Sequence, residues 1–180
     1  MIVVMGIDPG FANTGFGVVR MTGGSTRAVD AGVVQAPSEL APERRLALIH
    51  ESLGKLIARH EPQAVALEDL YFGKNVRSAI GVGQARGVAM LAAAERGVRC
   101  FHYTPQAIKL AVCGTGAAEK RQVQRMVGSL LALRKPPQSD HAADALAVAI
   151  CHAARVRPAA ARRRAVVADP APTSGEGIPA

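Results

Sequence analysis

The chain has 180 residues, 49% of them hydrophobic and 20% charged, with a formal net charge of +8. That is enough for one domain with a substantial core and excludes a disordered polyelectrolyte, and no apolar run approaches the roughly 20 residues of a membrane span. The N-terminus "MIVVMGIDPG" has no basic leader region or cleavage site, so no signal peptide is expected. Cys100, Cys113 and Cys151 lie far apart without C-x-x-C spacing, which predicts reduced, buried thiols in a cytoplasmic protein rather than disulfides or a zinc site.

In chain order, residues 2–8 ("IVVMGID") read as a buried strand closed by the turn Asp8-Pro9-Gly10. Residues 14–22 and 26–36, joined at Gly23-Gly24, complete an antiparallel three-strand meander. Pro42 opens a helix to about residue 60, with Leu46, Ile49, Leu53, Leu56 and Ile57 on one face. Residues 63–68 ("QAVALE") form a strand ending on Glu68, followed by the loop "DLYFGKN" and a helix of small residues over 76–96. A strand at 98–103, a short helix started at Thr104-Pro105, a glycine loop at 114–118 and a basic helix over 119–133 follow. After Pro136-Pro137 comes "QSDHAADALAVAICHAA", a helix apolar on most faces except for Asp140, His141 and Asp144 in and near its first turn. The order β-β-β-α-β-α-β-α-α-α predicts an α/β domain over 1–155 with a mixed sheet. Residues 156–180 are rich in Pro, Ala and Arg and read as a flexible basic tail.

Charge is unevenly distributed. Residues 1–73 carry six Lys/Arg against eight Asp/Glu, a net of −2, whereas residues 74–135 carry eleven against two, a net of +9. A basic block beside acidic positions suggests a polyanion held over an acidic site. Lys74, Arg77, Arg86, Lys109, Lys120, Arg121 and Arg125 are candidates for a phosphate-contacting surface. Tyr71 and Phe72 are adjacent rings in the loop after Glu68, suited to stacking on an unpaired base.

Two strands end on carboxylates, Asp8 and Glu68, where ligands collect in α/β sheets. His141 and Asp144, at i and i+3, share a helix face; Asp140, about 100° away, is placed as a helix-start acid together with Ser139. Packed together, these acids would repel one another, and a divalent cation removes that repulsion. Carboxylates with one imidazole suit Mg²⁺ or Mn²⁺, and two such ions about 3.5–4 Å apart can activate water and stabilise a leaving oxygen in phosphodiester hydrolysis. Residues 6–17 admit another reading, a glycine hairpin wrapped around nucleotide phosphates as in actin-like kinases. That reading requires a second phosphate loop and an adenosine pocket, and 180 residues leave no room for the second lobe. A noncatalytic DNA- or RNA-binding scaffold is a further alternative. His50, His60, His102 and His152 match no constellation and are expected to be structural.

"GIDPG…TGFG", the strand-terminal Glu with its aromatic loop and "KN", "GQARGVAM", "GAAEKRQVQRMV" and "AADALAVAI" together resemble the RuvC family of Holliday-junction resolvases, from residue 2 to about 155. The resemblance implies a ribonuclease-H-like fold with a central five-stranded mixed sheet. It also implies a homodimeric endonuclease of homologous recombination and DNA repair. Such an enzyme cuts two symmetric strands of a four-way junction and leaves 5′-phosphate and 3′-hydroxyl ends. By motif, Asp8, Glu68 and Asp144 match the family's metal-binding acids. His141 falls where many members carry a fourth Asp, a departure, and Asp140 beside it is the alternative. Tyr71, with Phe72 as the fallback, matches a ring near the junction centre. Lys109 and Lys120 match basic residues near the scissile phosphate. The helix containing Gly83, Gln84 and Gly87 resembles the family's dimer interface. Implied partners are a junction-binding protein and a hexameric ATPase motor of a branch-migration complex.

Overall fold

The first strand sets the layering. β1 (Ile2–Asp8) is buried on both faces: Val3, Met5 and Ile7 point to one side and Val4 to the other. The computed structural model describes residues 1–69, 76–135, 137 and 139–156, the side chains of residues 76–78 excepted. Tyr71, Phe72, Lys74, the Arg77 side chain and the tail from residue 157 onward therefore lie outside the described residues.

After β1 come β2 (Asn13–Thr22), β3 (Ser25–Gln35), α1 (Pro42–His60), β4 (Ala64–Glu68), α2 (Val76–Ala94), β5 (Arg99–Tyr103), α3 (Pro105–Cys113), α4 (Lys120–Leu130) and α5 (Asp140–Arg155). The strands form one five-stranded sheet in the order β3-β2-β1-β4-β5. β1–β2 and β2–β3 pair antiparallel; β4 runs parallel to β1 and to β5. The expected mixed sheet is thus the one observed. α1 and α2 cover the face that bears Val3, Met5 and Ile7, burying Ile49, Leu53, Ile57, Ala85 and Ala89. α3, α4 and α5 cover the opposite face, burying Ile108, Val127 and Leu146 against Val4 and Ala66.

Thr104 starts α3 as expected, its hydroxyl accepting a hydrogen bond from Ala107 N at 3.2 Å. The basic helix ends at Leu130 rather than at 133. Ala132 turns left-handed at φ 51°, and Leu133 N donates back to Gly128 O at 2.9 Å. This is a Schellman-type ending that folds Leu133 onto the core. No glycine marks the turn, so periodicity alone runs the helix on.

α5 lies unusually close to the sheet. A Cβ on Gly6 would stand 2.0 Å from Ala145 O, one on Gly15 2.1 Å from His141 O, and one on Gly17 2.7 Å from Leu146 N. Glycine within a strand commonly marks such an approach. The glycines of β1 and β2 therefore seat a helix backbone, which corrects the reading of residues 6–17 as a phosphate wrap. The thiols are free as expected, but only Cys151 is fully buried; Cys100 and Cys113 are partly exposed. Cys100 lies on the short strand β5, and Cys113 is the last residue of α3.

Candidate active site

Strand alternation and register bring the acids together. Ile7 pairs with Leu67 across the parallel β1–β4 ladder, so the next residues, Asp8 and Glu68, leave the sheet side by side. Both have the parity of Val4 and Ala66, the residues packed under α5. The close seating of α5 brings its first two turns over these strand ends. There His141 Nδ1 lies 2.7 Å from Asp8 Oδ2. Asp144, one turn further, belongs to the same electrostatic cluster: its charge acts on both Asp8 and Glu68.

Asp140 turns the other way. Its carboxylate accepts from Gln124 Nε2 at 2.7 Å and meets Lys120 Nζ at 3.2 Å. Those partners hold its pKa below the usual carboxylate range. Asp140 is the first residue of α5, whereas Ser139 at the N-cap position makes no side-chain capping bond, contrary to the cap expected of it. Gln124 gave no sequence signal beyond its place on the basic helix.

Lys120 also lies 3.3 Å from Asp144 Oδ2. Burial opposes its charge, but Asp144 and Asp140 outweigh burial and raise its pKa. Glu68, Lys109, Lys120 and Asp144 line one cleft of ≈ 190 Å³, walled by Ile108 and Val148. Arg121 and Arg125 are exposed on α4. Gln84 and Gly87 are exposed on α2, and Gly83 is half-buried there.

Arg86 departs from its expected role. Its side chain is only 14% exposed and its guanidinium is committed inward, to Glu68 O, Asp69 Oδ1 and His102 Nδ1. It is a half-buried clamp across the ends of β4 and β5, with its donors engaged within the protein rather than held out toward solvent. The other histidines lie outside the acid cluster, each with its own partner, His102 with Arg86. His50 meets Glu95 and His60 meets Asp30, both at 2.9 Å, while His152 meets Tyr103 Oη at 2.6 Å.

The electrostatics of the cluster are those of carboxylates short of positive charge. Burial, then the charges of Asp8 and Asp144, push Glu68 up to about 7, with Lys109 opposing. Burial likewise raises Asp8, partly offset by its bond to His141. Among the described residues no three His, Cys, Asp or Glu side chains form a ready-made metal cage. As they stand, an imidazole engages Asp8 and an ammonium engages Asp144. The donor set itself, three mutually repelling carboxylates and one imidazole, fits a hard divalent cation, which would relieve that repulsion.

A five-stranded mixed sheet with acids at two adjacent strand ends, and a third acid on the helix across them, defines the ribonuclease-H-like class. Comparison with known proteins narrows the class. The family described as "Crossover junction endodeoxyribonuclease RuvC" matches residues 4–152. A protein of that name from Rubrobacter xylanophilus is 51% identical over 159 residues, covering 88% of this chain and 89% of its own. One from Chloroflexus aggregans is 50% identical over 149 residues, covering 83% and 91%. The solved structure "T. thermophilus RuvC in complex with Holliday junction substrate" superposes with a TM-score of 0.83 at 37% identity, covering 87% of this chain and 96% of that one. The chain belongs to the RuvC family.

Proposed function

We propose that this protein is a crossover junction endodeoxyribonuclease that resolves Holliday junctions in homologous recombination and DNA repair. The observation that carries the reading is the gathering of Asp8, Glu68 and Asp144, from β1, β4 and α5, beside a cleft rimmed by Lys109 and Lys120. A RuvC relative of the same fold is described in complex with a junction. Asp8, Glu68, His141 and Asp144 would hold Mg²⁺ or Mn²⁺, two ions per subunit. Such ions supply a water nucleophile and stabilisation of the leaving oxygen, giving 5′-phosphate and 3′-hydroxyl ends. Lys109 and Lys120 place the scissile phosphate against the acids, and Arg121 extends the contact along the backbone. Tyr71, with Phe72 as fallback, supplies the ring at the junction centre, and Lys74 and Arg77 bind its phosphates. The domain over 1–155 carries this activity.

The test compares a four-way junction, a linear duplex and a structured RNA side by side with Mg²⁺ or Mn²⁺. Symmetric cutting of the junction alone is expected; cutting of RNA alone, or binding without any cutting, overturns the reading. Junction affinity should also fall steeply with salt as bound counterions are released. Lys109→Ala and Arg121→Ala should each lower the log–log salt slope by about 1, and an unchanged slope removes that residue from the interface.

Metal binding should depend on pH through Glu68. The ion takes the carboxylate form, so protons compete as the pH falls through the group's pKa of about 7. Mn²⁺ affinity is therefore expected to be highest above that pH and to drop below it, with proton release near neutrality. Calorimetric titrations in two buffers of different ionisation enthalpy would detect the released proton. Affinity that stays flat through neutral pH counts against Glu68 as a ligand.

The active form is a homodimer, whose two-fold axis matches that of a four-way junction. Ile80 and Leu91 of α2 are 59% and 52% exposed. They align with Gln84 and Gly87 at i, i+4, i+7 and i+11, one helix face. A side chain on Gly87 would meet nothing within 4 Å of the same protomer, leaving room for a partner helix beside Gly83. Leu91→Glu should yield monomers in sedimentation velocity; dimers that persist place the interface elsewhere. A junction-binding protein and a hexameric ATPase motor are the partners in branch migration. The free thiols support a cytoplasmic location, and no helix among the described residues is long and apolar enough to cross a membrane.

A further inference from the structure

We infer that Arg86 is a positioning residue that holds the Glu68 end of β4 in register for metal binding, an inference that rests on the nuclease reading above. Two ties secure this strand end. Asp69 N donates to Tyr103 O at 2.8 Å, extending the β4–β5 ladder by one bond. Arg86, crossing from α2, donates from Nη1 to Glu68 O and from Nη2 to Asp69 Oδ1 at 3.1 Å and to His102 Nδ1 at 2.7 Å. One rigid fork thus spans the backbone of the acid, the side chain after it and the neighbouring strand. A lysine ammonium, a single point of charge, cannot reproduce that arrangement. The side chain is 14% exposed and both Nη groups are already engaged within the protein, which leaves the guanidinium little to offer a DNA phosphate. Glu68 lies among repelling carboxylates, which favour its moving away, and the clamp on its carbonyl resists that displacement. Groups that orient metal ligands in this way typically change affinity or rate by roughly 10–100-fold when removed.

The experiment uses full-length protein with Arg86→Ala and Arg86→Lys. Three quantities are measured: the single-turnover cleavage rate on a junction, Mn²⁺ affinity of the DNA-free protein by electron paramagnetic resonance, and junction affinity against salt without divalent metal. Both the rate and the Mn²⁺ affinity should fall by roughly 10–100-fold in the alanine variant, with lysine intermediate. Junction affinity should stay within about two-fold and its salt slope should be unchanged. Unchanged rate and Mn²⁺ affinity overturn the inference, and so does a slope shallower by about 1, which marks a phosphate contact. If the alanine variant loses cooperative melting, the lysine variant is judged by the same criteria. Wild-type protein that binds Mn²⁺ yet cuts no junction overturns the nuclease reading instead, while the Mn²⁺ affinities still decide the role of Arg86.

Discussion

Asp8→Asn should abolish junction cleavage while leaving junction binding intact, a rate loss on the order of 10³-fold or more. Asparagine keeps the shape of the side chain and can still pair with His141, now 2.7 Å away, so the fold has little reason to change. What disappears is the charge at the end of β1, the element most deeply enclosed by the sheet. Asp8 is only 21% exposed, so water does little to replace that charge for a bound cation. The cationic surface formed by Lys109, Lys120 and Arg121 is untouched, and binding without metal should persist. The check pairs nick formation on a synthetic four-way junction with a mobility-shift titration. A variant that cuts at near-native rate would falsify the metal role of Asp8, and a parallel loss of binding would show that the residue supports the surface instead.

Gly15→Ala should cost about 3 kcal/mol of stability and slow cleavage as well. Its methyl would stand 2.1 Å from His141 O and 2.5 Å from His141 C, both backbone atoms that no rotamer change can move aside. Either β2 or the start of α5 must shift, and α5 carries His141 and Asp144. Gly6→Ala should behave alike, with Ala145 O at 2.0 Å and Ala149 N at 2.8 Å. Gly128→Ala is the control: it meets nothing within 4 Å and sits in a helix, where alanine gains up to about 1 kcal/mol. Urea unfolding read beside the cleavage rate separates these cases. Native stability in the Gly15 variant would mean that α5 can lift away at little cost.

Much of this was legible in local pattern. Alternating and continuous apolar runs marked the five strands, Pro42 and Thr104-Pro105 marked two helix starts, and Asp8 and Glu68 stood out as acids closing apolar strands. Helix spacing set Asp140 apart from His141 and Asp144; in the structure Asp140 meets Gln124 and Lys120 while His141 meets Asp8, but Lys120 also reaches Asp144 and so links the two acids. Arg86 was misread because a charge in a basic block looks like surface until its partners are known. Its three acceptors lie on two other elements, β5 and the end of β4. The early end of α4 was hidden for a different reason: Ala132 adopts a left-handed conformation at which glycine would have been the signal.

By itself, the sequence determined the elements and singled out the candidate acids, because strand and helix periodicities are local properties of a few neighbouring residues. Tertiary structure alone decided which charges meet. His141 and Asp8 are 133 positions apart, and only the glycine seats at Gly6, Gly15 and Gly17 let α5 come close enough to join them. The same packing turns Arg86 from a free surface cation into a half-buried clamp. Backbone approach and burial are set by contacts between distant segments, so they become visible only once the chain has folded.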